Sequence, residues 1–237
     1  MKSGVFIIID GIDGSGKSTV VKAMQTWVEA QGKKTFDFVA ACKEYGSHPS
    51  FADAEHADVL FTSEPTYAWV GAALRKEMFQ TPSPYSPLEF AHTFALDRML
   101  LYRRLIIPAL VAGKTVIQDR SVSTSLVYQA DAPNGPSLDT ILALPGNQLA
   151  LAHAPDHLIL LNVQPKVALA RIASRNGKAQ DVFETLEQQE RFHERFHSQW
   201  FANIFTERGT TIHSLDAANG LDASIENTHR LISQILS

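Results

Sequence analysis

The chain has 237 residues, 45% hydrophobic and 19% charged, with a formal net charge of -4. That balance fills a core of α/β size and excludes wholesale disorder, and the slight acidity supplies no basic field for a nucleic-acid partner. The single cysteine, Cys42, rules out an internal disulfide and reads as a small buried hydrophobe in a reducing compartment.

The first segment, VFIIID at 5–10, is apolar until its last residue, as a strand buried on both faces should be. It is too short for a signal peptide, and nowhere do about 18 apolar residues follow each other, so a cytoplasmic protein without a membrane anchor is expected. Lys17 to Ala30 reads as a helix that stops before Gly32. Strands are predicted at 34–40 (KTFDFVA) and 58–63 (DVLFTS). Between them residues 41–57 are polar and broken by Gly46 and Pro49, so an excursion from the compact body is expected. Its His48, Asp53, Glu55 and His56, with the neighbouring Asp58, could be imagined as metal ligands, but scattered polar residues in a connection are usually solvated. Ser86-Pro87-Leu88-Glu89 is a capping box with proline at the first helical position; it opens a long helix that Gly113 closes and that Pro108 should kink or fray. TVIQD (115–119) and HLILLNV (157–163) are two more strands, Gln164-Pro165 starts a helix to about Arg175, TIHSLD (211–216) is a weaker sixth strand, and Asp222 starts the last helix. Strands alternating with helices predict an α/β three-layer sandwich, a five-stranded, mostly parallel sheet flanked by helices, in one domain over 1–237.

Directly after the first strand stands Gly11-Ile12-Asp13-Gly14-Ser15-Gly16-Lys17-Ser18, a G-x-x-x-x-G-K-[ST] phosphate loop of the P-loop NTPase kind. Four fixed positions arise by chance in roughly 0.3% of chains this long, before the strand and helix around them are demanded. Its glycines let backbone N–H groups converge on phosphate oxygens, and the helix beginning at Lys17 adds the positive end of its dipole. ATP-binding candidates are Gly11, Asp13, Gly14, Ser15, Gly16, Lys17, Ser18 and Thr19, with Lys17 bridging the β- and γ-phosphates and Ser18 holding Mg2+. Asp119, at the end of TVIQD, is the second metal candidate, and Arg120 beside it can grip phosphate; taken alone the pair reads equally as a loop ion pair. His193-Glu194-Arg195-Phe196-His197 spells the zinc motif H-E-x-x-H, yet no convincing third ligand follows, and Phe192, Phe196, Trp200 and Phe201 mark an apolar helical stripe instead.

FIIIDGIDGSGKST, FTSEP (61–65), LR (74–75), FALDR (94–98), VIQDRSVSTSLVYQ (116–129), PDHLILLNVQPKVALARI (155–172) and LDA (215–217) together resemble the ordered landmarks of the thymidylate kinase family. Only 41–57 and about 131–153 fall outside the resemblance. It implies phosphoryl transfer from ATP to dTMP, giving dTDP and ADP, by a helix-packed homodimer whose partners are these nucleotides. It also implies that Phe94 stacks on the pyrimidine while Arg98 reaches its exocyclic oxygen, a pairing that i, i+4 spacing on one helix face allows. Arg75 and Arg120 look like the residues that hold the acceptor's 5′-phosphate, Asp13 like the carboxylate near the sugar 3′-hydroxyl and metal. Glu64 is a candidate for positioning water or metal, and Ser125, Tyr128 and Gln129 for touching base and sugar.

No arginine or lysine lies between Gly11 and Gly16, so transition-state charge is expected from a lid at about 173–182, where Arg171, Arg175 and Lys178 surround Asn176-Gly177. Without the resemblance, three basic residues at a helix end read as dipole capping. Ser63, Ser121 and Val182 depart from the family pattern, which leaves a kinase for another pyrimidine nucleotide or a deoxynucleoside as an alternative. A nucleotide-dependent switch is the alternative from another class; it has no N-K-x-D segment here and no need of a second arginine pocket.

Overall fold

The computed structural model describes residues 3–176, 185–218 and 220–236. Its strands are β1 (Phe6–Asp10), β2 (Thr35–Asp37), β3 (Val59–Ser63), β4 (Thr115–Asp119), β5 (His157–Asn162) and β6 (Thr211–Asp216). They form one sheet in the order β2-β3-β4-β1-β5-β6, and every pairing is parallel. All five residues of β1 are buried, as its unbroken apolar run requires of a central strand. The sheet has six strands rather than the five expected. TIHSLD pairs with β5 from His157↔Thr211 to Asn162↔Asp216, and its polar composition is that of an edge strand with only Leu215 fully in the core.

Helix α1 (Lys17–Ala30) joins β1 to β2. The remaining helices are α2 (Phe38–Tyr45), α3 (Phe51–Ala54), α4 (Trp69–Ala73), α5 (Pro87–Leu101), α6 (Ile107–Val111), α7 (Val122–Tyr128), α8 (Leu138–Ala143), α9 (Pro145–Ala152), α10 (Pro165–Asn176), α11 (Leu186–Phe196), α12 (Gln199–Thr206) and α13 (Leu221–Leu236). Only the β1-to-β2 crossover runs against the direction of the others, so right-handed crossovers put α1 on one face of the sheet and the helices from α2 to α12 on the other. The last helix, α13, returns to pack on α1. No helix among the described residues is long and apolar enough to cross a membrane.

Two local expectations are corrected. The strand predicted at 34–40 ends at Asp37, whose carboxylate accepts the Ala40 N–H at 2.9 Å and so starts α2 with Phe38 and Val39 inside it. The segment 41–57 is only partly solvated: it folds as the rest of α2 and as α3, with Ala41, Cys42, His48, Ala54 and Ala57 buried while Lys43, Glu44, Asp53, Glu55 and His56 stay exposed. Burial pushes the Cys42 thiol up to about 12, so it is an inert core residue. The long helix behaves as its punctuation demands. Ser86 and Glu89 cap α5 reciprocally, a π-helical turn at Tyr102–Ile106 precedes Pro108, and Gly113 ends the run at φ 77°.

The order β3-β4-β1 sets three carboxyl ends side by side, with Ser63 in register with Asp119 and Asp119 in register with Ile9. The loops that follow therefore open onto one crevice at the edge of the sheet, beside the strand where the crossover direction reverses.

Candidate active site

Residues 11–16 turn sharply between β1 and α1. Gly14 has φ 75°, and a Cβ there would stand 2.3 Å from the Ala168 carbonyl oxygen of α10, so only glycine fits. Gly16, at φ 103°, caps α1 without any side-chain bond, which leaves the first N–H groups of the helix available to an anion. Lys17 is buried and donates to the carbonyls of Gly11 and Ile12, both at 2.8 Å. Burial, reinforced by Arg120's like charge, lowers its ammonium to about 8. Asp10, which sequence reasoning passed over, secures the loop from below: it accepts the Gly11 N–H at 2.8 Å and the hydroxyls of Ser123 at 2.6 Å and Thr124 at 2.7 Å. Its one sequence signal is an acid ending an otherwise apolar strand.

A cavity of about 230 Å³ faces this loop, and Lys17, Ser18, Arg75, Asp119 and Arg120 line it together. Arg120 holds a left-handed backbone, φ 62°, and is ion-paired to Asp13. Burial pushes Asp13's carboxyl up, but Arg120 and Lys17 outweigh it and hold it below its ordinary value. The Asp13 N–H donates to the Tyr128 hydroxyl at 3.0 Å, which ties the loop to α7. Arg75 donates to Pro65 O at 2.6 and 3.1 Å and to Thr66 O at 3.1 Å, and its guanidinium lies 3.8 Å from the Tyr67 ring centroid.

Asp119 bears on the metal question. Its Oδ1 is buried and has no hydrogen-bond partner, and burial raises its carboxyl against the pull of Lys17 and Arg120. With the Ser18 hydroxyl in the same cavity, this donor set suits Mg2+, which takes one or two protein oxygens and fills its remaining positions with water and phosphate. Among the described residues no three His, Cys, Asp or Glu side chains gather to hold a metal unaided.

Glu64 lines the cavity from the end of β3 and connects it to a buried network. Arg98, 1% exposed on α5, pairs with Glu64 at 2.7 Å, donates to Ser125 Oγ at 3.0 Å and binds Asn147 Oδ1. Gln118 donates to the second Glu64 oxygen at 3.0 Å. Burial raises the Glu64 carboxyl to about 7, opposed by Arg98. Asn147 and Gln118 carry no signature in the sequence; a buried amide shows its role only when its partners are in place. Phe94, one turn before Arg98, is half-buried with its ring 6.0 Å from that of Phe79 and does not line the cavity. Gln129 follows α7, buried, with its Oε1 unpartnered.

A second cavity of about 340 Å³ lies on the far side of the loop, bounded by Ser15, Gly16, Thr19, Arg171 and Ser224. Arg171 donates to Ala217 O at 2.8 Å and Ser15 O at 3.4 Å. Arg175 sits on the last turn of α10, its side chain outside the described part, and Gly177, Lys178 and Val182 of the expected lid lie outside the described residues. In the H-E-x-x-H run the His193 and His197 rings stack at 4.2 Å, His193 Nε2 meets Asn162 Oδ1 at 3.2 Å, and Phe192 and Phe196 fill the core.

Free helix-terminal N–H groups, a buried lysine and two arginines share one cavity at the carboxyl ends of a parallel sheet, and that combination is the mark of the P-loop phosphotransferases. Within that class the chain belongs to the thymidylate kinase family, whose model, described as thymidylate kinase, matches residues 50–230. It is similar to the probable thymidylate kinase of Thermococcus gammatolerans, 32% identical over 96% of this chain and 93% of the relative. It is also similar to the thymidylate kinases of Xanthomonas oryzae pv. oryzae (strain PXO99A), 31% identical over 99% and 85%, and Synechococcus sp. (strain RCC307), 33% identical over 76% and 75%. The matched family range begins after the phosphate loop, which stands on its own residues and geometry.

Proposed function

We propose that this chain transfers the γ-phosphate of ATP to the 5′-phosphate of dTMP, giving dTDP and ADP. The observation that carries the reading is the single cavity in which Lys17 faces Arg75 and Arg120, so that a donor anion site and an acceptor anion site share one space. Lys17 leaves the loop carbonyls for the β- and γ-phosphates of ATP, and the N–H groups from Gly14 to Thr19 cradle the chain. Ser18 and Asp119 would hold Mg2+, which would supply positive charge to neutralise the phosphates. Arg75 and Arg120 grip the acceptor's phosphate bidentately, with Asp13 fixing the plane of Arg120 near the sugar.

Phe94 supplies a stacking face for the pyrimidine, and Arg98, oriented by Glu64, Asn147 and Ser125, presents its guanidinium to the exocyclic oxygen. Tyr128 and Gln129 border the sugar. Arg171 closes the donor side, and Arg175, in a lid at about 173–182 of one kinase domain, meets the charge that develops in transfer. A cytoplasmic homodimer packed through helices completes the reading; the exposed Leu88 and Leu96 of α5 support such a surface. A coupled assay with ATP-Mg2+ against dTMP, dUMP, dCMP, dGMP and thymidine tests it. Fastest turnover of dTMP is expected, preference for thymidine would move the chain to the nucleoside kinases, and no turnover of any acceptor would end the phosphotransfer reading.

A further inference from the structure

We propose that His48, from the segment between β2 and β3, is a positioning residue for the acceptor site, holding the 64–69 loop from behind through Thr66. The inference rests on the acceptor role proposed above for Arg75. His48 is buried, 3% exposed, with its ring edge-on to Phe38 and stacked on Trp69, both at 4.9 Å between centroids. Its Nε2 lies 3.0 Å from Thr66 Oγ1.

The proton positions follow from the neighbours. Thr66 Oγ1 lies 2.6 Å from Asp97 Oδ1 and 3.2 Å from the Ala68 carbonyl oxygen, and the Thr66 N–H donates to Asp97 Oδ2 at 2.7 Å; of the hydroxyl's two acceptors the carboxylate is the nearer and the stronger, so its single proton goes to Asp97. His48 Nε2–H is then the donor to Thr66, and Nδ1, which has no partner, is the bare nitrogen. Burial, with Arg104 adding to it, lowers the imidazole to about 4, which keeps it in this neutral form at neutral pH.

Thr66 is gripped from several sides, and the grip passes directly to the cavity. Its carbonyl and that of Pro65 hold the Arg75 side chain, and the next residue, Tyr67, lies beneath the Arg75 guanidinium; Arg75 and Tyr67 both line the cavity. A Cβ on Gly71 would stand 2.3 Å from Thr66 Oγ1, so glycine at that position is what leaves the hydroxyl its place. Trp69 holds a left-handed backbone at φ 48°, a conformation that bulky residues adopt only when their surroundings enforce it. Those surroundings are His48 stacked on one part of the indole and Arg104, whose guanidinium lies 4.9 Å from the ring centroid and which also donates to the His48 carbonyl at 3.2 Å.

Steady-state kinetics of the full chain with ATP-Mg2+ and dTMP, beside circular dichroism and thermal melting, tests the assignment. H48F keeps a ring between Phe38 and Trp69 but removes the donor; it should raise KM for dTMP about tenfold while KM for ATP stays within about twofold and kcat within about threefold. H48Q, which restores an N–H near Nε2, should recover most of that loss. T66V removes the acceptor of the bond, so adding H48F to it should cost little more. An equal rise in both KM values, a drop in melting temperature without a change in KM for dTMP, or H48Q no better than H48F would each overturn the role while leaving the proposed activity intact. Absence of dTMP turnover in the unaltered chain would instead remove that activity, and the role of His48 with it.

Discussion

In the donor loop the turn that shapes the anion site is local, with Lys17 reaching back to Gly11 and Ile12 and α1 starting from Gly16, while Ser123, Thr124, Tyr128 and Arg120 brace it from outside. The acceptor side is assembled from afar. Glu64, Arg98, Gln118, Ser125 and Asn147 come from the loop after β3 and from α5, β4, α7 and α9, and meet in one buried network, with spans of 27 to 54 positions between bonded partners. A short local loop supplies backbone donors whose placement depends on glycine torsions, whereas fixing a buried guanidinium needs partners on several sides. The two regions should therefore fail differently when altered.

Removing the Lys17 ammonium should damage chemistry and little else. Lys17→Ala is expected to lower kcat by about a thousandfold or more, with the melting temperature nearly unchanged, since the lost group serves developing charge. Arg98→Ala should do the reverse. It strands Glu64 in the core without its counter-charge, so a loss of about 3–5 kcal/mol in urea unfolding is expected, with a raised KM for dTMP in the protein that remains folded. Equal stability losses in the two variants would erase the contrast between the two regions.

Asp119→Asn sharpens the comparison at the point where the two regions meet. It keeps the size of the side chain but removes the unpartnered carboxylate charge, so kcat should fall about a hundredfold and half-maximal activity should need more Mg2+. An unchanged Mg2+ requirement would take Asp119 out of the metal site.

The smallest effect is one of pH. With Lys17 lowered to about 8, kcat/KM should fall about tenfold per unit above pH 8 as the ammonium is lost from the free enzyme. Stability moves the other way. Between pH 8 and 10.5 the unfolded chain keeps a proton the folded chain has shed, so this group's contribution to unfolding free energy rises with pH in that window and is least favourable below it. Urea titrations of the wild type and Lys17→Met across pH 7–10 would show the difference, and parallel curves would place the ammonium in a more solvated site.

The donor half could be read directly because a phosphate loop is a contiguous pattern whose flanking strand and helix announce themselves by apolar run and glycine. The boundaries of α1, the capping box at Ser86 and the stop at Gly113 were legible for the same reason. Asp37 was not, since an acid after Thr-Phe reads as strand until its carboxylate is seen to cap Ala40. The part of 41–57 that packs into the core was hidden because small residues such as Ala41, Ala54 and Ala57 carry little hydrophobic signal in a polar setting.

The amino-acid sequence by itself determined the parallel α/β architecture and the phosphate loop, because these follow from periodicity and glycine within short windows, whereas Arg75 and the acceptor role of Arg120 were picked out only through the family resemblance. Only the tertiary structure decided that the weak TIHSLD strand joins the sheet, and it alone placed the Arg98–Glu64 pair and the seat of His48. Each depends on which distant groups burial brings into contact, and the cost of leaving a polar atom unmet in a core is a property of that assembled neighbourhood.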